Sequence, residues 1–87
     1  MNTDHRISLV IADDHPIVRK GLRDIIASDP DLHILGEAEN GTDAWDAIRS
    51  LVPRVAVLDL AMPGMTGLEI AHEVDKAHLP TGVIILT

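Results

Sequence analysis

Several residue types are scarce or missing from this sequence, and their absence excludes whole classes of protein. The 87 residues contain no cysteine, which excludes disulfide bonds and thiolate metal sites. Trp45 is the only aromatic residue, so the interior must be built from aliphatic side chains. Seven basic against fourteen acidic residues give a formal net charge of −7, which opposes contact with nucleic acid or an anionic membrane. No run of about 18 apolar residues occurs, and we expect a cytoplasmic domain without a membrane span.

The sequence does contain ample apolar material, arranged in two alternating patterns. Hydrophobic residues make up 46% of the chain, enough for the core of one small domain. Short apolar runs predict four buried strands, at 7–12, 32–38, 55–58 and 83–86. Apolar residues at three- to four-residue spacing predict a helix in each intervening segment. The first begins at Pro16 and ends near Ser28, and Thr42 is the predicted N-cap of the second.

Acidic and hydroxyl residues follow three of these predicted strands. Asp13 and Asp14 follow the first, Asp59 the third and Thr87 the fourth. Alternation of strands and helices predicts an α/β fold with a parallel sheet between helices, in which all strand carboxyl ends share one edge. If the first and third strands are neighbours, as in a 2-1-3-4 order, the three carboxylates meet there.

Three carboxylates at one edge indicate a specific chemistry. Like charges raise one another's pKa, so the cluster must either hold a proton or bind a hard cation. A pocket of oxygen ligands suits Mg²⁺ or Mn²⁺, and Mg²⁺ takes few carboxylates together with phosphate oxygens. The alternative is that each aspartate only caps the following helix or turn. For a single aspartate we would favour capping; for three aspartates and a threonine at one edge we favour a site for phosphate chemistry.

Four segments of the sequence resemble a known family. They are VIADDHPIVR at 10–19, GEA followed by NG between 36 and 41, LDLAMPGMTGLE at 58–69 and IILT at 84–87. Together they resemble the receiver domain of bacterial two-component response regulators, and most closely the NarL/FixJ (LuxR-type) subgroup. The resemblance implies a flavodoxin-like (CheY-like) doubly wound parallel sheet.

The resemblance also implies a role for each matching residue. Asp59 would be the phosphoacceptor. Asp14 and Asp59 would bind Mg²⁺ directly, Asp13 through water and Ala61 through its backbone carbonyl. Thr87 would place its hydroxyl on the phosphoryl group. The alternatives are an interaction module that is not phosphorylated, and a hydrolase that forms an aspartyl-phosphate. Against the hydrolase, Ala61 stands where a second aspartate would be expected.

The resemblance implies partners as well. A sensor histidine kinase would dock on the first helix, where Pro16, Ile17 and Lys20 are the candidate contacts. NarL/FixJ-type regulators continue into a helix-turn-helix domain, so DNA binding and transcription regulation would belong to such a domain and not to this segment.

The sequence departs from the family pattern at its end. It stops after the fourth strand, without the fifth strand, its lysine and the last helices, so we expect residues 1–87 to be a truncated receiver domain. The strand at 83–86 would then be an exposed apolar edge, which predicts a homodimer or oligomer.

Five further residues carry expectations. Gly64 and Gly67 are expected to supply unusual backbone angles beside the site. His15 is expected to begin the first helix and shape the rim, and Arg19 and Arg23 are ordinary solvated charges or part of a kinase-docking surface.

Overall fold

A computed structural model of the chain describes residues 6–87, in which strands and helices alternate. The elements are β1 (Ile7–Ala12), α1 (Pro16–Ala27), β2 (Leu32–Ala38), α2 (Gly41–Leu51), β3 (Val55–Asp59), α3 (Gly67–Lys76) and β4 (Gly82–Leu86). The predicted alternation is confirmed. None of the helices in this range is long and apolar enough to cross a membrane.

The four strands form one parallel sheet in the order β2-β1-β3-β4, as predicted. β1 pairs with β3 from Leu9 opposite Val55 to Ala12 opposite Leu58. Because the two strands run in the same direction and in this register, the residue after Ala12 and the residue after Leu58 emerge side by side. The sheet order therefore brings Asp13 and Asp59 to the same edge.

Helices cover both faces of the sheet, because β1 and β3 are apolar on both sides. Alternate residues of β1 and β3 pack against α2 and α3 on one face, in a cluster that includes Val10, Ala12, Ala56, Leu58, Ala44, Ile48, Ile70 and Val74. The other face packs against α1, in a smaller cluster of Leu9, Ile11, Ile26 and Val57. Trp45 on α2 is partly buried against the first cluster, as its position in the apolar stripe predicts.

The fourth strand is less buried than its apolar run alone predicts, in line with the exposed apolar edge expected at 83–86. Ile84 is 51% exposed, whereas β1 and β3 contribute fully buried side chains. The reason is position: β4 is an edge of the described sheet and pairs only with β3. Its continuous apolar sequence is typical of a central strand, but only one of its two edges is paired with another strand of the described sheet.

The helix ends are set by local hydrogen bonds. Pro16 is the first residue of α1, as predicted. The prediction of Thr42 as N-cap of α2 is wrong: Asn40 is the cap, and its Oδ1 accepts the Asp43 N–H at 2.8 Å. Thr42 already lies in the first turn and cannot act as the cap. α3 begins with a capping box formed by Thr66 and Glu69.

Candidate functional site

The carboxylates of Asp13, Asp14 and Asp59 meet at the carboxyl edge of the sheet. One ligand atom from each, together with one from His15, lies within 4.8 Å of the others. Asp13 is 4% exposed, and the side chain of Asp59 is 19% exposed. This is the only group of three or more potential ligand residues within residues 6–87. Three acidic groups so close, in a partly dry environment, repel one another unless a cation lies between them.

Asp13 is held from all sides. Its Oδ1 accepts the backbone N–H of His15 at 2.7 Å, in the turn that leads into α1. Its own N–H donates to the Ala38 carbonyl at 3.1 Å, and its carbonyl accepts from Arg19 Nη1 at 2.8 Å. The backbone of Asp13 is therefore fixed between β1, β2 and α1, and one oxygen of its carboxylate is fixed by the turn into α1.

Asp14 is the opposite case. Its Oδ1 is buried and accepts no hydrogen bond of good geometry among the described residues, although His15 Nδ1 lies 3.0 Å away. A buried carboxylate oxygen that lacks a well-formed hydrogen bond is costly, and coordination of a metal ion would satisfy it. The oxygen ligands and this unsatisfied atom fit a hard divalent cation such as Mg²⁺.

His15 contacts the whole cluster, which sequence reasoning did not predict. Its Nδ1 lies 2.8 Å from Asp13 Oδ1, 3.0 Å from Asp14 Oδ1 and 3.8 Å from Asp59 Oδ2. The hydrogen bond to Asp13 and then the negative charge of Asp14 raise the pKa of His15 above its usual value. A signal was available: an aspartate tends to bond the backbone N–H two residues later, and that turn brings His15 back over the carboxylates.

Arg19 is not a solvated charge, and that reading is wrong for it. Its side chain is only 19% exposed, because the guanidinium folds back onto the Asp13 carbonyl. Arg23, one turn later, is 44% exposed and bonds Glu37 Oε1 at 2.9 Å. The difference arises because only Arg19 lies within reach of the loop after β1.

The candidate docking residues lie on the outside of α1. The start of this helix, with Pro16 at its first position, is exposed beside the pocket, and Ile17 is 86% exposed. Lys20 is exposed and pairs with Asp24 Oδ2 at 2.8 Å, which lowers the pKa of Asp24. The structure thus places these residues on an accessible surface, and their role in docking stays a prediction.

The loop between β3 and α3 carries Ala61, which is exposed two residues after Asp59. Gly64 has φ +85°, as expected for a left-handed position. Gly67 has no such angle, so the expectation is wrong there; it is a glycine because a Cβ would lie 2.8 Å from the Asp59 carbonyl oxygen. The close approach of the α3 N-terminus to the end of β3 excludes a side chain.

The start of α2 supports the same loop. The Gly41 N–H donates to the Pro63 carbonyl at 2.9 Å. A Cβ on Gly41 would overlap the Met65 carbonyl oxygen and lie 2.6 Å from the Met65 nitrogen. The loop that carries Ala61 is therefore packed on the backbone of α2, a contact that sequence spacing does not reveal.

Thr87 lies at the same edge of the sheet. It directly follows β4, in which Leu86 pairs with Asp59. The Leu60 N–H also donates to the Leu86 carbonyl at 3.1 Å, which holds this end of β4 beside the end of β3. Within the described residues, Lys20 and Lys76 lie on helices and bring no ammonium group to this edge.

A parallel α/β sheet in the order 2-1-3-4, with an acidic cluster at the point where the strand order reverses, defines a CheY-like domain whose candidate site lies at its switch point. The family model of the response regulator receiver domain matches residues 9–87. The chain belongs to the response regulator receiver domain family.

Individual relatives support the family and its NarL-type branch. The probable transcriptional regulatory protein NarL of Mycobacterium tuberculosis is 35% identical over 82 residues, which cover 94% of this chain and 38% of that protein. The solved DNA-binding response regulator of the LuxR family from Staphylococcus aureus is 43% identical, with a TM-score of 0.87, over 91% of this chain and 66% of that chain.

This chain is also similar to proteins that are not transcriptional regulators. A protein-glutamate methylesterase/protein-glutamine glutaminase of Pyrococcus abyssi is 38% identical over 85 residues, 98% of this chain but only 23% of that protein. The chain therefore spans well under half the length of the curated relatives that it matches. The similarity concerns the receiver part.

Proposed function

We propose that this chain is a phosphoacceptor receiver domain, in which Asp59 accepts a phosphoryl group from a sensor histidine kinase. The observation that carries the proposal is the meeting of Asp13, Asp14 and Asp59 at one edge, with the Asp59 carboxylate still accessible. A carboxylate oxygen of Asp59 attacks the phosphorus of the phosphohistidine. The phosphorus–nitrogen bond breaks, the donor imidazole, already protonated on its other ring nitrogen, leaves as the neutral base, and an acyl phosphate forms on Asp59.

The residues around Asp59 fit a magnesium-assisted reaction. Mg²⁺, when bound, would neutralise charge on the phosphoryl oxygens. Asp14 would bind it through its buried Oδ1, Asp13 through water, and Ala61 through its carbonyl. Asp59 would share the ion and serve as nucleophile. Asp13 and Asp14 would hold the cation beside the Asp59 nucleophile, and positioning together with charge neutralisation is most of what phosphoryl transfer needs.

Two surfaces next to the pocket have proposed roles. Pro16, Ile17 and Lys20 form an exposed surface beside the acidic edge, which suits contact with the kinase that brings the phosphohistidine. Thr87 would place its hydroxyl on the phosphoryl group and couple the reaction to a change in the sheet edge. Such coupling lets a local charge change bias a two-state element.

The output of the parent protein is proposed from its relatives. A transcriptional regulator and a DNA-binding regulator are among them, which supports a DNA-binding output domain outside this segment. The acidic net charge of −7 opposes DNA contact by the segment itself. We also propose self-association through β4, whose edge is open in the described sheet and carries the half-exposed Ile84.

The phosphoacceptor role is tested with acetyl phosphate, MgCl₂ and intact-protein mass spectrometry. We expect a gain of about 80 Da, one phosphoryl group, in the wild-type chain and none in Asp59→Asn. Asp75→Asn, an exposed aspartate of α3, is the matched control and should be modified normally. Chelation of Mg²⁺ should abolish the modification.

Other outcomes would favour the other readings. Rapid multiple turnover of acetyl phosphate without an accumulated adduct would point to a hydrolase. A wild-type chain that is not modified at any Mg²⁺ concentration, yet binds an intact receiver domain, would leave the interaction module and refute the phosphoacceptor role.

A further inference from the structure

We propose that Arg19 is a positioning residue for the metal pocket: its guanidinium fixes the peptide group that joins Asp13 to Asp14. The inference deepens the proposed function and rests on it, because it concerns how the two carboxylates are presented to Mg²⁺. Arg19 itself is not proposed to touch the ion or the phosphoryl group.

The inference rests on a single hydrogen bond, to the peptide group between two of the pocket's aspartates. Arg19 Nη1 donates to the Asp13 carbonyl at 2.8 Å. That carbonyl belongs to the peptide unit whose nitrogen is the Asp14 N–H, so its orientation sets the direction in which Asp14 leaves the sheet. The preceding peptide is fixed independently, because the Asp13 N–H donates to Ala38 in β2 at 3.1 Å. Arg19 therefore controls the first peptide beyond the sheet.

The guanidinium is held in turn by an acidic residue of β2. Arg19 Nε lies 3.7 Å from Glu37 Oε1, and Arg23 Nη1 lies 2.9 Å from the same oxygen. The planar fork of an arginine can satisfy a carboxylate and a carbonyl together, which a lysine ammonium does with much less geometric control. These contacts join α1, β2 and the loop after β1 around the peptide of Asp13.

The orientation of this peptide matters because the pocket brings mutually repelling groups together. The carboxylates of Asp13, Asp14 and Asp59 repel one another, and a free loop would relax by moving apart. Mg²⁺ demands near-ideal octahedral geometry and tolerates displaced ligands poorly. A group that holds the ligand-bearing backbone in place should therefore affect the affinity for Mg²⁺ without contacting it.

Arg19 and Arg23 make a matched pair for the test. Both are on α1, both carry one positive charge and both approach Glu37, but only Arg19 bonds the Asp13 carbonyl. Binding of MgCl₂ alone to the full chain is measured by isothermal titration calorimetry. We expect Arg19→Gln to raise the Kd about tenfold, as for residues that orient metal ligands from outside the coordination sphere, and Arg23→Gln to change it less than about twofold.

A second variant keeps the charge and protects the test against loss of folding. Arg19→Lys retains a cation on α1 but loses the planar fork, and we expect a Kd raised about threefold. With acetyl phosphate, both Arg19 variants should need more Mg²⁺ for half-maximal phosphorylation and reach the wild-type rate at saturation. Recovery at high Mg²⁺ separates a positioning role from general destabilisation, which would lower the maximal rate.

Each remaining outcome overturns the inference in a recognisable way. Equal weakening by Arg19→Gln and Arg23→Gln, or wild-type affinity in Arg19→Lys, would mean that positive charge alone assists the pocket. Wild-type affinity in Arg19→Gln would mean that the peptide needs no support. A wild-type chain that binds no Mg²⁺ would overturn both the inference and the proposed function, whereas the other results leave the proposed function standing.

Discussion

Gly41 offers a severe test of how the loop after β3 is supported. The residue is buried at the start of α2, and its N–H donates to the Pro63 carbonyl at 2.9 Å. In Gly41→Ala the added methyl group would overlap the Met65 carbonyl oxygen and crowd the other backbone atoms of Met65. Because these neighbours are backbone rather than the flexible end of a side chain, the loop or the helix must move.

The expected cost follows from the kind of obstruction. Extra methyl groups in well-packed sites cost about 1–3 kcal/mol, and a clash with backbone belongs at the upper end. We therefore expect Gly41→Ala to lower the free energy of unfolding by about 3 kcal/mol. For a domain of this size each kcal/mol shifts the Tm by roughly 4–8 °C, so the Tm should fall by more than about 10 °C.

Gly21 provides the control within the same chain. It lies in the middle of α1, and a Cβ there would meet nothing within 4 Å. Gly21→Ala should stabilise the protein by about 0.5–1 kcal/mol, because alanine favours a helix interior. Urea and thermal unfolding followed by circular dichroism measure both variants. An unchanged Tm in Gly41→Ala would refute the packing of the loop on α2.

Three further predictions concern a cap, the core and the ion. Asn40→Ala should cost about 1 kcal/mol through loss of the α2 cap, and Thr42→Ala less than about 0.5 kcal/mol; the reverse order in urea unfolding would restore Thr42 as the cap. Ile48→Ala, at a fully buried site, should cost about 3 kcal/mol, and Ile84→Ala, 51% exposed, less than about 1 kcal/mol; similar losses on calorimetry would mean that β4 is buried. MgCl₂ at ten times its Kd should stabilise the wild-type chain by about 1.4 kcal/mol, an effect that excess chelator removes; no shift in Tm would contradict a metal pocket.

The architecture was predictable because each strand and helix is indicated by a pattern that extends over many consecutive residues. The run in β1 is apolar at five of its six positions, and the alternation of such runs with helical spacing leaves few topologies for a small domain. The convergence of Asp13 and Asp59 followed from direction alone, since parallel strands end at one edge. The exposure of β4 could be expected only from the family resemblance, because an apolar sequence does not record whether a strand has neighbours on both sides.

The finer structure of the site was not predictable by the same means. The contact of Arg19 with the Asp13 carbonyl depends on one side-chain conformation on α1, and helical spacing marks Arg19 and Arg23 as equivalent. The requirement for glycine at Gly67 comes from the nearness of the Asp59 carbonyl oxygen, a distance between segments and not a local angle. His15 was the exception, because turn chemistry beside Asp13 could have indicated its contact with the carboxylates.

Trp45 makes the fluorescence of this protein sensitive to only one face of the sheet. The indole is the only aromatic chromophore of its kind in the sequence, and it packs against the apolar cluster beneath α2 and α3. The cluster beneath α1 is entirely aliphatic. Tryptophan fluorescence therefore reports only on packing at the α2 and α3 face of the sheet. Far-ultraviolet circular dichroism reports on the helices of both faces. A comparison of the two signals during unfolding reveals whether the two halves of so small a domain come apart together.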